Sequence, residues 1–225
     1  MNRALGAIST PRRLLLVVLA TALVSAVVTA SVIALNTGGD TQPRSPLSVA
    51  VVGDQYAAGF QNRVVWPTLL AQRTGWSVSN FALPGAGFVA DGRGGHAFTY
   101  QVDRAQAAHP DVIVIVGGVN DTGLADPAPI EIGAIDAVHK VILGGKRALV
   151  IGPTWFETPV PESVTRVSDA LRKAAQSSGV PFLDALDPPW LTRAQMLPDL
   201  SGPTDEGQSA IADKIAEWVR SEVAR

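Results

Sequence analysis

Four short segments contain the residue types that acyl-transfer chemistry uses. In the first of them, a β-branched run leads into Gly-Asp and then into small residues, which predicts a strand, a tight turn and a helix. Such a turn exposes one side chain above the sheet, where a nucleophile can reach a carbonyl. Gln55 holds that position, and a carboxamide cannot attack. The segments are Gly53-Asp54-Gln55-Tyr56, a glycine-rich stretch that includes Gly85, Gly118-Val119-Asn120-Asp121, and Asp199-Leu200-Ser201-Gly202-Pro203.

Strand and helix patterns alternate five times in the chain beyond residue 46. This alternation is typical of a three-layer α/β/α fold with a doubly wound, flavodoxin-like, five-stranded parallel sheet. The run at 111–118 is apolar on both faces, so we expect it at the centre of the sheet. Predicted strands cover 47–53, 76–82, 111–118, 147–152 and 180–186, and predicted helices cover 64–75, 99–109, 131–145, 161–179 and 204–223.

The carboxyl ends of the strands are where a sheet of this kind binds its ligands. The first three segments each follow a predicted strand, and the fourth precedes the last helix. We therefore expect all four to meet at one edge of the sheet.

Together and in this order, the segments resemble the blocks of the SGNH (GDSL-type) hydrolase family, over nearly all of residues 47–223. The family's first block is G-D-S-x, and its third, G-x-N-D, is matched in full at 118–121. The resemblance implies that the Gly85 N–H and the Asn120 side-chain amide line an oxyanion hole. The fifth block, D-x-x-H followed by proline, aligns Asp199 with the catalytic acid and Gly202 with the histidine. Asp54 is interpreted as a hydrogen-bond acceptor within the turn.

The two departures from the family pattern, at Gln55 and Gly202, remove the attacking group and its base. Ester cleavage needs a hydroxyl, an imidazole, an acid that orients the imidazole, and donors for the oxyanion. Loss of a triad member costs about four to six orders of magnitude in rate, and loss of two costs about the same. We therefore predict a pseudoenzyme, with no catalytic set intact, that binds an acylated or glycan ligand or an envelope partner.

Two alternatives remain open at this point. One is an active esterase or O-acyltransferase with a non-standard catalytic set, for example one in which Asp199 activates a water molecule. The other is a purely structural component of a membrane complex. Gln55 itself is either a drifted residue, with its amide directed to solvent or to Asn120, or a replacement that fills the serine's space and offers a donor and an acceptor to a ligand. Likewise, four aromatic residues form either a pocket wall or plain core: Tyr56, Phe88, Trp155 and Phe156.

No other residue is an evident substitute for the missing base. His139 is expected on a helix surface, His109 at a helix end, and His96 in a glycine-rich loop within reach of the site. Ser201 is interpreted as a helix-entry residue. Three scattered histidines and no cysteine predict neither a metal site nor a cofactor.

Residues 14–35 are an uncharged apolar run that would span about 33 Å as a helix, enough to cross a bilayer. Because Arg3, Arg12 and Arg13 precede it, we expect residues 1–13 in the cytoplasm and a signal anchor at 14–35. A polar linker at 36–46 then leads to an extracytoplasmic domain at 47–225, held at the cell membrane by a single pass. The run is longer than the usual apolar core of a signal peptide. The alternative is that it is nevertheless a signal peptide, whose cleavage would release the domain by secretion.

The charge of the chain limits its partners. Without the three N-terminal arginines, 15 basic residues face 20 acidic ones. An acidic domain without a basic run argues against nucleic acid and anionic lipid as partners. The sequence points to no particular protein partner.

Overall fold

Every strand of the central sheet runs in the same direction. The computed structural model describes residues 45–92 and 94–224. The five-stranded parallel sheet expected from the sequence is confirmed, and its strand order is β2-β1-β3-β4-β5. The strands are β1 (Ser48–Val52), β2 (Ser77–Asn80), β3 (Val112–Val116), β4 (Arg147–Ile151) and β5 (Phe182–Leu183).

Helices cover both faces of the sheet. One apolar core lies under α3, α4 and α5, and the other lies under α1, α2 and α6. All of the predicted helices are present, and a short 3₁₀ turn at Arg193–Gln195 is additional. The helices are α1 (Gln55–Ala58), α2 (Trp66–Thr74), α3 (Phe98–Ala107), α4 (Ala128–Leu143), α5 (Glu162–Ser177) and α6 (Asp205–Val223).

Strand β3 lies at the centre of the sheet, as its composition predicted. All five of its residues are buried, because neighbouring strands flank it and helices cover both of its faces. Alternate residues point to opposite cores, so that Ile113 joins one core and Val114 the other. At the edge of the sheet, β5 has only two residues rather than the predicted seven.

Helix α6 brings the fourth chemical segment to the first one. The side chain of Gln208, on the buried face of α6, donates to the Tyr56 carbonyl at 3.0 Å and accepts from the Trp66 N–H at 2.8 Å. Asn62 donates to the carbonyl of Pro203 at 2.9 Å. At its start, Thr204 caps the helix by accepting from the Gly207 N–H, because a threonine hydroxyl can satisfy a free N–H of the first turn.

Within residues 45–92 and 94–224, no helix is both long enough and apolar enough to cross a membrane. The predicted cytoplasmic segment 1–13, the predicted anchor 14–35 and most of the predicted linker lie outside the described residues.

We predict that Ile113→Ala lowers the free energy of unfolding by about 3 kcal/mol, because the cavity it leaves in the central strand cannot collapse. Ile113 is fully buried, whereas Ile132 on α4 is 67% exposed. The matched control Ile132→Ala should stay within about 0.5 kcal/mol of the parent. Urea denaturation of both variants measures the difference, and equal losses would contradict the placement of β3.

Candidate functional site

The turn after β1 is held by Asp54, which is almost fully buried. Its carboxylate caps α1 by accepting from the Tyr56 N–H at 2.9 Å. The carboxylate packs so closely against Gly118 that any side chain at position 118 would overlap it. On the other side of the turn, Gln101 accepts from the Gly53 N–H at 2.9 Å. These contacts fix the direction in which the next residue, Gln55, leaves the turn.

Burial shifts the pKa values of two side chains in this turn. Desolvation raises the pKa of the Asp54 carboxyl to about 6, against the opposing effect of backbone N–H groups of Tyr56 and Val119. Burial, and then the nearby Asp54 charge, also raise the pKa of the Tyr56 hydroxyl. Asp54 therefore accepts a hydrogen bond within the turn. Its burial makes the ionised form of the carboxyl less favourable.

The side-chain carbonyl oxygen of Gln55 lies between the two donors that the family resemblance implies. The Gly85 N–H donates to this oxygen at 3.2 Å, and the Asn120 amide donates to it at 2.9 Å. The Gln55 amide nitrogen in turn approaches the Asn120 side-chain oxygen at 3.4 Å. Gln55 thus places an internal acceptor at the point where a hydrolase would stabilise the oxyanion of its substrate.

Backbone partners set the orientation of both side-chain amides. The Gly85 N–H can only donate, so the Gln55 atom facing it must be the oxygen. The Ala86 carbonyl can only accept, so the Asn120 atom 2.8 Å away must be the nitrogen. Both hydrogens of the Asn120 amide are therefore engaged, one by Gln55 and one by Ala86. To bond to the Asn120 amide, an acceptor from a ligand would therefore have to displace the Gln55 oxygen or the Ala86 carbonyl.

Asp121 holds the loop that carries Gly85. Its buried carboxylate accepts from three successive N–H groups, those of Phe88 at 2.7 Å, Val89 at 3.2 Å and Ala90 at 2.8 Å. A side chain at Gly87 would overlap this carboxylate. Asp121, the last residue of the third segment, thus holds the glycine-rich second segment next to Asn120.

Asp199 and Gly202 lie beside the site without bonding to Gln55. The exposed Asp199 carboxylate accepts from the Ser201 hydroxyl at 2.7 Å and from the Ser201 N–H at 3.1 Å, and these bonds lower its pKa. A β-carbon added at Gly202 would meet no atom within 4 Å. In the described part of the chain, no hydrogen bond joins Asp199 or Gly202 to Gln55, and the space open at the buried Gly202 is that of one added carbon.

A chamber of about 250 Å³, open to solvent and lined by both apolar and polar residues, adjoins this site at Tyr56 and Val119. Tyr56, Trp155 and Phe156 contribute to its wall, with Leu200 from the fourth segment. Trp155 and Phe156 stack with their ring centres 4.5 Å apart. Phe88 is instead part of the core on the opposite face of the sheet, where it meets the edge of Phe98. Three of the four aromatic residues singled out in the sequence therefore form a pocket wall.

None of the histidines takes the place of the missing base. His109 and His139 are exposed, and the His96 ring stacks on Tyr100 of α3 at 3.8 Å. No group of acidic or histidine side chains within residues 45–92 and 94–224 could hold a metal ion.

Sequence reasoning missed several polar residues that assemble the site, namely Gln101, Asp121 and Gln208. A signal for the two glutamines does exist in the sequence. Each interrupts the apolar stripe of a helix, Gln101 beside Phe98 and Val102, and Gln208 in the stripe that continues with Ile211. A polar side chain at such a position needs a buried partner.

Comparisons with known proteins agree on the type of domain. Residues 50–210 match the model of the GDSL-like lipase/acylhydrolase family. No curated protein is significantly similar in sequence. The structure of TesA is similar at 20% identity with a TM-score of 0.62, over 74% of this chain and 94% of that one.

Two further solved structures share the fold. The psychrotrophic esterase EstA from Pseudoalteromonas sp., inhibited by monoethylphosphonate, has 15% identity and a TM-score of 0.61, over 79% of this chain and 98% of that one. A catalytic mutant of Axe2, an acetylxylan esterase from Geobacillus stearothermophilus, has 16% identity and a TM-score of 0.60, over 77% and 94% of the two chains.

We predict that Asp54→Asn gains stability over the parent as pH rises. The folded carboxyl has a pKa of about 6 against an unfolded value of 3.8, so the native state holds the proton more tightly. The parent's free energy of unfolding therefore falls between about pH 4 and pH 6, by roughly 3 kcal/mol for a shift of this size. Asparagine keeps the oxygen that caps α1 but cannot ionise.

Chemical denaturation of the parent and of Asp54→Asn from about pH 4 to pH 7 measures this effect. The contributions of other titrating groups cancel when the two free energies of unfolding are subtracted. Asp136→Asn, at an exposed position of α4, is the control for loss of one negative charge. A stability difference for Asp54→Asn that stays constant with pH would contradict the burial of this carboxylate.

Proposed function

The chain belongs to the GDSL-like lipase/acylhydrolase family, and on that basis we propose that it is a member that binds its ligand without hydrolysing it. The observation that carries the proposal is the Gln55 side-chain oxygen, which accepts from both the Gly85 N–H and the Asn120 amide. In a hydrolase of this design the oxygen of the reacting carbonyl would take that position.

The proposal follows from what an ester would need at this site. Its carbonyl would have to displace the Gln55 oxygen and break two hydrogen bonds, each with a net contribution of about 1 kcal/mol. Once there, it would meet no hydroxyl at position 55 and no imidazole at position 202. Neither attack nor protonation of the leaving group has a residue to perform it.

The aromatic part of the chamber beside Gln55 supports an acyl group as the ligand. Its volume of about 250 Å³ and its wall of Tyr56, Trp155, Phe156 and Leu200 suit a short hydrocarbon chain. Only one hydrogen of the Gln55 amide nitrogen is directed to Asn120, so the other remains as a donor to the ligand's carbonyl. In this arrangement Gln55 takes up the two donors of the oxyanion site. One N–H of its own amide is then the donor that remains for a ligand.

We also propose that the domain acts outside the cytoplasmic membrane. The uncharged run at 14–35, the arginines that precede it and the acidic character of the remainder support this location. Cleavage of the run would release the same domain in soluble form.

The contact between Ser201 and Asp199 at 2.7 Å is the one feature that favours a rival, active enzyme. A serine hydroxyl bonded to a carboxylate is a possible nucleophile and base. However, the two bonds from Ser201 lower the pKa of Asp199, which makes the carboxylate a weaker base for the hydroxyl proton. The geometry therefore favours the non-hydrolytic function.

We predict that the full chain shows no turnover of p-nitrophenyl butyrate above background, and that Gln55→Ser with Gly202→His introduces turnover. A β-carbon at position 202 would contact no atom, and the backbone there needs no glycine-specific angle, so the position accepts the start of a side chain. The matched control is Gln55→Ala with Gly202→His, which has the base but no nucleophile. We expect the serine variant to exceed this control at least about 100-fold.

Labelling with a fluorophosphonate probe provides a second readout, expected only for the serine variant. Parent turnover that is lost in Asn120→Ala but kept in Gln55→Ala would overturn the proposal in favour of a non-standard catalytic set.

A further inference from the structure

A separate cleft in the described part of the chain lies away from Gln55, between the β5 edge of the sheet and helix α6. It has a volume of about 590 Å³. The segment 187–190 forms one wall, and the outer face of α6 forms the other. None of its lining residues belongs to the chamber beside Gln55. It is therefore a separate site, and nothing in the hydrolase resemblance assigns it a ligand.

Two tryptophans give this cleft its apolar surface. Trp190 and Trp218 both line it, and each is only partly buried. They pack against the core on the α6 face of the sheet, and their remaining surface is open to the cleft. A fixed indole presents a flat apolar face together with one N–H donor. Such a surface suits a ligand that has both a flat C–H face and hydrogen-bonding groups.

The polar groups of the cleft carry both signs of charge. Asp187 and Glu217 offer carboxylates, and Lys214 offers an ammonium group. Within residues 45–92 and 94–224, none of these three side chains forms an ion pair or a side-chain hydrogen bond. The Ser221 hydroxyl donates to the Trp218 carbonyl at 2.7 Å, which leaves its oxygen as an acceptor.

The indole surfaces and the charged groups of the cleft together favour some classes of ligand over others. Two carboxylates against one ammonium disfavour phosphate, sulfate and nucleic acid. Three charged groups around the cleft disfavour a hydrocarbon chain, because each would lose water without gaining a partner. Sugar hydroxyls both donate and accept, so they can satisfy carboxylates and an ammonium group together.

We propose that the Trp190–Trp218 cleft binds a neutral oligosaccharide built of equatorially substituted pyranose rings. Rings of this kind present a flat C–H face to an indole, while their hydroxyls project sideways toward Asp187, Lys214 and Glu217. The cleft is larger than one sugar unit needs and is open to solvent, which suits a chain of several units. This inference is independent of whether the Gln55 site is catalytically inactive.

The test is titration of the full chain with cellotetraose and with chitotetraose, followed by calorimetry and ligand-observed NMR. The chain is kept in a detergent that has no sugar headgroup. We expect saturable binding of at least one tetrasaccharide, with a dissociation constant between about 10 μM and 1 mM. Glu217→Ala and Trp190→Ala should each weaken it about ten-fold or more, as expected for central contacts.

Matched variants separate this site from the rest of the domain. Glu206→Ala removes another exposed acid from the same helix, and Trp155→Ala removes a tryptophan from the chamber beside Gln55. Both should keep the parent's affinity, as should Gln55→Ala. Glu217 is exposed, so its replacement tests the site even if Trp190→Ala fails to fold.

Three results would overturn the inference. The first is no saturable binding of either tetrasaccharide up to about 10 mM. The second is unchanged affinity in Glu217→Ala. The third is loss of binding in Gln55→Ala, which would place the sugar in the family's own site while leaving the proposal of a non-hydrolytic domain intact.

Discussion

Two N–H donors converge on one point at the carboxyl edge of the sheet, and the Gln55 side chain supplies the oxygen that both of them require. The donors come from Gly85, in the loop after β2, and from Asn120, after β3. In a hydrolase such donors are left for the substrate, because their value lies in stabilising charge that develops during the reaction. Here the Gln55 carbonyl accepts from both of them. These bonds join three strand ends, and the proposed non-hydrolytic function rests on them.

The surrounding framework holds these residues in place. Asp54 still holds the turn and Asp121 still holds the loop that carries Gly85. Close packing explains why Gly118 and Gly87 have no side chain. The proposed function depends on the carboxamide at position 55 and the glycine at position 202. In that proposal, a frame whose donors are taken up internally serves recognition rather than turnover.

Periodicity and local chemistry were sufficient to predict the order of the elements, because strands and helices place apolar residues with different periods. The all-apolar run of β3 predicted its central position, and the helix predicted over 204–223 is present as α6. The sequence left the direction of the Gln55 carboxamide open between solvent, Asn120 and a ligand, because its partners are 30 and 65 positions away along the chain. The Trp190–Trp218 cleft likewise depends on how the segment after β5 packs against α6. The anchor at 14–35 lies outside the described residues and stays a prediction.

A double-mutant cycle between Gln55 and Asn120 tests the central claim most directly. The free energies of unfolding of the parent, Gln55→Ala, Asn120→Ala and the double variant give the coupling between the two side chains. If the Gln55 oxygen accepts from the Asn120 amide, the two losses are not additive, and the coupling is about 1 kcal/mol. Additive losses, with a coupling near zero, would show that the carboxamide points elsewhere and that the two donors are open to a substrate.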